Sequence, residues 1–200
     1  YSGYMASVPA SLQRALGGPV LIGNCCLSII SRTSHGPAAF AIDPPAILEK
    51  PQSIPLVYYP ASHPTLGRWQ GATEYFGGSD SMGGLVVPDG FQSVLFFGRH
   101  GTTFCYGGPQ CKDPTSSSQG VHGYPYVSYV WAYAVDDLAA VRSGSKAPWD
   151  VKPYAVWALD ALKGATVGGA AYDPATGRIF LSQPGAQQSL IHVYRLARAE

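Results

Sequence analysis

The chain has 200 residues, of which 46% are hydrophobic and only 12% charged, with a formal net charge of +1. That balance leaves no electrostatic footprint for nucleic acid or an anionic membrane surface. The longest nearly apolar run, 19–30, is too short to cross a bilayer and contains Asn24.

With 24 Gly, 17 Pro and 13 Tyr, the composition predicts many short strands and turns in a single domain, 1–200, rather than long helices. In chain order, a Gly-led strand of small residues is expected at 2–9 and a short helix at 10–16, stopped by Gly17-Gly18. Strands follow at 19–23, 36–42 and 55–60, with a polar loop through His35 before the second of them. The order then restarts. Gly83-Gly84-Leu85-Val86-Val87 matches the opening strand in kind, and 93–98 is the next strand. A long loop runs from Arg99 to about Tyr124, and 126–135 is an aromatic and β-branched strand. Asp136-Asp137 is expected to cap a helix at 138–143, and a Pro-led strand follows at 153–159. The third pass has strands at 169–172, 178–182 and 190–196, the first two joined by the turn Asp173-Pro174-Ala175-Thr176-Gly177.

These passes form a repeat. The Gly-led strands open at Gly3, Gly84 and Gly169, about eighty residues apart. Phe40-Ala41-Ile42-Asp43 corresponds to Tyr133-Ala134-Val135-Asp136. Four-stranded antiparallel meanders in series predict an all-β, β-propeller-like array: a blade at 1–60, an inter-blade loop at 61–81, a blade at 82–160 and a partial blade at 167–197. The first strand of each blade lies nearest the axis, where only small side chains fit. Two blades and a part do not close a ring. The expected partners are therefore an N-terminal remainder of the propeller or identical chains, and a start at Tyr1 fits a C-terminal fragment. The competing architecture is a β-sandwich with similar hairpins.

Asp173-Pro174-Ala175-Thr176-Gly177-Arg178-Ile179-Phe180 followed by Ile191-His192-Val193-Tyr194 resembles a blade of many bacterial propellers. Phe96-Phe97-Gly98-Arg99-His100-Gly101, Trp131-Ala132-Tyr133 and Pro153-Tyr154-Ala155-Val156-Trp157 resemble a group of secreted bacterial propeller-like repeat proteins of unassigned activity. The resemblance implies a blade type. It supplies no catalytic residue.

In a propeller, the loops 24–35, 62–80, 99–124 and 183–189 share one face, which makes them the expected ligand face. Four of the five His and all four Cys fall there. Cys105 and Cys111 flank a short loop able to bring them together, and a bridge there fits an extracellular or periplasmic protein. Cys25 and Cys26 are adjacent and either bridge each other, pair with the other loop or stay as thiols. A vicinal bridge is similar to one in some quinone-dependent propeller dehydrogenases, whose repeated Trp motifs are absent here. His100 and His122, with Arg99, are the catalytic candidates, and the plainer reading of the histidines is as exposed loop residues hydrogen-bonded to turns. His35 and His63 come from the neighbouring blade, and a metal site would draw on these His with Asp80 or Asp113. The alternative for Arg99 is a pair with Asp89. Trp69, Tyr75 and Phe76 either stack on a sugar or grip a protein, or cover the seam between blades. No nucleophile-elbow, phosphate-loop or H-E-x-x-H motif is present, and no cofactor follows from these residues.

The expectation for function is an exported propeller-type binding or interaction module with ligand-binding candidates Trp69, Tyr75, Phe76, His63 and His35. Its alternatives are a hydrolase or lyase with a His site near the axis, and a structural subunit whose blades are completed between chains.

Overall fold

The computed structural model describes residues 3–25, 34–45, 53–60, 64–68, 71–105, 113–114, 122–185 and 187–197. Among the described residues the chain builds three antiparallel sheets in sequence order, none of them closed. The first sheet is the meander β1 (Met5–Ser7), β2 (Val20–Ile22), β3 (Ala39–Ile42) and β4 (Ile54–Val57). The second is β5 (Ser81–Val86), β6 (Ser93–Gly101), β7 (Tyr126–Ala134) and β8 (Ala155–Ala158). The third is β9 (Gly169–Asp173), β10 (Arg178–Gln183) and β11 (Leu190–Arg195). Two short helices, α1 (Ala10–Leu16) and α2 (Val135–Arg142), lie in the connections. The fold is all-β.

Local chemistry explains these boundaries. Helix α1 buries Leu12 and Leu16, one turn apart, and ends where Gly17 takes φ 92°. Several strands are shorter or shifted relative to the sequence expectation, and two boundaries bear on the site. Strand β7 runs directly into α2, so Asp136 and Asp137 occupy the first helical turn rather than its cap. There they still meet the positive end of the helix dipole. Strand β6 continues past Gly98 because its ladder with β7 holds as far as Gly101 opposite Tyr126. His100 is therefore a strand residue.

Two cores hold the sheets face to face. Between the first and second sheets, Leu21, Leu56, Phe96, Trp131 and Tyr133 are among the fully or nearly fully buried residues. Polar tips inside this core are bonded. The Tyr59 hydroxyl donates to the Val151 carbonyl and pairs with the Tyr133 hydroxyl at 2.9 Å. The Tyr4 hydroxyl donates to the Ala38 carbonyl at 2.8 Å and accepts the Ala38 N–H. Burial raises the pKa of all three tyrosines, so they stay neutral donors. Between the second and third sheets, Val86, Leu95, Phe97 and Val130 meet Ile179 and Leu181.

The first strands of the three sheets lie side by side, β1 near β5 and β5 near β9. Glycine permits the approach. A Cβ on Gly84 would fall 2.5 Å from the Ala170 Cβ, and one on Gly83 would strike the Val167 carbonyl oxygen. Strands β1, β5 and β9 line a groove of about 560 Å³, with Met5, Ser7, Val86, Asp89, Ala170 and Tyr172 among its walls. No helix among the described residues is long and apolar enough to cross a membrane.

Candidate functional site

Meander order sorts the connections to two ends. Segments before β5 and after β6 meet at one end, with those before β1, β3 and β9 and after β2, β4 and β10. The two helices and the β9–β10 turn lie at the other. The groove reaches this second end, where Pro9, Asp89 and Pro174 border it.

At the loop end, Asp80 and His100 form a buried pair. The His100 Nδ1 lies 2.9 and 3.0 Å from the two Asp80 carboxylate oxygens, with Nδ1–H donating. The Gly77 and Gly101 N–H groups donate to the same carboxylate at 2.9 and 2.7 Å. Asp80 is 2% exposed and His100 6%. Burial pushes the Asp80 pKa up, while the His100 ring and the two N–H groups oppose that shift. The His100 ring stacks on Tyr129, with centroids 4.9 Å apart.

A one-residue irregularity creates this pair. From Leu85 opposite Phe96, counting down the hairpin would set Asp80 against Gly101. The register shifts between Met82 and Gly84, so that Ser81 faces Arg99 and the next step sets Asp80 against His100. The Gly83-Gly84 pair tolerates this bulge.

The segment leading into β5 is fastened to the second sheet. The Tyr129 hydroxyl donates to the Glu74 carbonyl at 2.9 Å, and the Trp131 indole N–H to the Tyr75 carbonyl at 2.6 Å. Thr73 closes the turn: its hydroxyl donates to Leu66 and accepts the N–H groups of Tyr75 and Phe76. Phe76 is 2% exposed, its ring meeting His35 edge-on at 6.2 Å. Phe76 thus covers the seam between sheets instead of facing solvent; an aromatic without a polar tip gains most by joining the core. Tyr75 is half-buried and packs against the same core.

The remaining candidates separate into distinct places. Arg99 lies on the opposite face of β6 from His100; its Nε donates to the Ser81 hydroxyl at 3.3 Å and its guanidinium covers the Tyr126 ring at 4.0 Å. It does not meet Asp89, which borders the groove at the other end. His122 donates from Nδ1 to the Cys105 carbonyl at 3.2 Å, and its own carbonyl accepts the Cys105 N–H at 2.9 Å. His35 is buried, its backbone N–H donating to Tyr59. His63, Trp69, Cys26 and Cys111 lie outside the described residues, and with them the expected Cys105–Cys111 and Cys25–Cys26 bridges. Among the described residues no three of His, Cys, Asp and Glu gather as metal ligands would.

Three participants escape sequence reading: Tyr129, Gly77 and Ser79. Ser79 precedes the pair, and its buried hydroxyl has no hydrogen-bond partner among the described residues. Two glycines make room for it, since a Cβ at Gly101 or Gly123 would strike its Oγ. Glycines clustered on both sides of His100 were the available signal.

No protein-family model, curated protein or solved structure matches the chain.

Proposed function

We propose that the chain is a propeller-type binding or interaction module, exported to an extracellular or periplasmic location, whose ligand face is the loop end of the three sheets. Three meanders in series, with their first strands side by side around a groove, support the propeller reading. The resemblance to secreted bacterial repeat proteins supports export.

One observation carries the choice of binding over catalysis: the Asp80–His100 pair is spent on structure. The carboxylate takes N–H groups from Gly77 and Gly101 as well as the imidazole, and so pins the segment before β5 to the end of β6. With the pair holding the end of β6 in place, half-buried Tyr75 on one face of the second sheet, Arg99 on Tyr126 on the other, and partly exposed Tyr124 offer flat aromatic and cationic surfaces at the loop end. Such surfaces stack on sugar rings or grip a protein segment.

The test is a titration of the chain with soluble cellohexaose, chitohexaose and xylohexaose, followed by amide chemical shifts. At least one sugar is expected to shift signals confined to the loop end. Tyr126→Ala should weaken that binding tenfold or more, while His100→Asn leaves it within about twofold. Sugar cleavage abolished by His100→Asn would transfer the site to the hydrolase reading. Silence with all three sugars would remove carbohydrate as the ligand.

A further inference from the structure

The third sheet has one face packed on the second sheet and one face open. Ile179 and Leu181 of β10 are buried, whereas Phe180 between them points the other way and is half-exposed. On β11, Ile191 is 60% and Val193 54% exposed. Register sets Ala171, Phe180 and Val193 in one cross-strand row and Asp173, Arg178 and Arg195 in another on the same face. The first sheet differs. On its outward face Phe40 and Ile42 are each only 6% exposed, and Phe40 meets Tyr58 edge-on.

We propose that the open face of the third sheet packs against the same face of a second copy of this chain. Continuity argues for it. The sheets already stack face to face twice within the chain, and the open face repeats the branched and aromatic residues of those cores. Symmetry follows from the covered first sheet. Continuing the stack of sheets head to tail would need that sheet's outward face, so we take like faces to meet, a contact that is isologous and closes at two copies. Charge fits the same arrangement. A two-fold axis along β10 sets Phe180 against its counterpart, Val193 over the counterpart of Ala171, and Arg195 over the counterpart of Asp173. Arg178 meets its own counterpart near the axis, which limits affinity. Three strands about 4.8 Å apart and about 20 Å long make a small face. It falls short of the roughly 800 Å² per partner of a standard interface. Association is therefore weak and concentration-dependent.

Sedimentation velocity of the full chain from about 5 to about 500 µM tests this. The average mass is expected to rise from one chain towards two and no further. Val193→Glu should abolish the rise while keeping the melting temperature within about 2 °C, because the side chain is exposed in the single chain. If that variant fails to fold, Ile191→Glu gives the same reading. Met5→Glu, at a position 64% exposed on β1, should leave the rise intact. A single-chain mass throughout, growth beyond two copies, or a dimer that survives Val193→Glu and Ile191→Glu would each overturn the proposal.

Discussion

The second and third sheets share strand order and differ in what covers them. Strand β6 is buried on both faces, and Val94-Leu95-Phe96-Phe97 reads as an unbroken apolar run. Strand β10 is covered on one face, and Ile179 and Leu181 alternate with Arg178 and Ser182. The difference teaches that position in the stack decides side-chain pattern more than strand type does. A sheet held between two others loses its alternation. Only Phe180 breaks the polar side of the β10 pattern, and it lies on the face proposed to meet a second copy.

The sharpest way to break this comparison is to remove a phenylalanine from each strand. Phe96 is fully buried between Tyr4 and Tyr133, both edge-on to its ring. Phe96→Ala should cost about 3–5 kcal/mol in urea unfolding. Phe180→Ala in dilute protein should cost under about 1 kcal/mol. Equal losses would mean that the two sheets are covered alike.

A smaller effect is expected at the join between sheets. His100→Ala removes one charge-assisted hydrogen bond and leaves the Asp80 carboxylate with its backbone donors, at a cost of about 2–3 kcal/mol. Adding Asp80→Asn should cost less than the two single changes summed, since the partners act as a unit. Strict additivity in a double-mutant cycle would show that the pair does not fasten the loop.

The smallest effect belongs to the third sheet's turn. The Asp173 carboxylate accepts the Thr176 hydroxyl and the Ala175 N–H, contacts that lower its pKa. A lowered folded pKa contributes stability above the ordinary Asp value of about 3.9, and that contribution is lost as pH falls through the folded value. Acid should therefore loosen this turn, and Asp173→Asn should flatten the response. The Ala175 and Thr176 amide shifts followed from about pH 6 to pH 2 would check it. A midpoint at or above the ordinary Asp value would contradict the assignment.

Much of the strand order was legible because it follows from local chemistry. The α1 bounds were readable from Leu12, Leu16 and Gly17, and the β9–β10 hairpin from its Asp-Pro-Ala-Thr-Gly turn. The end of β6 was not, because Gly98 and Arg99 look like a loop start while the ladder to β7 continues. The site was legible only in its members. Asp80 and His100 were both candidates, yet no motif links residues so far apart, and their meeting depends on the bulge at Gly83. Phe76 was readable as an aromatic in a Gly-rich segment, but its contact with His35, from the connection before β3, was not. Long-range contacts of that kind leave no local pattern.

Helices α1 and α2 pack together at the end opposite the loops, and α1 ends at Gly17, where a Cβ would collide with the Arg142 side chain. They act as a bracket across the first two sheets. Tolerance to insertion should therefore be unequal. Added residues between β6 and β7 meet no such bracket, whereas one residue added between β7 and α2 rotates that helix by about 100° and turns Leu138 and Val141 away from their packing. A library of grafted segments would thus have one hospitable end and one forbidden end.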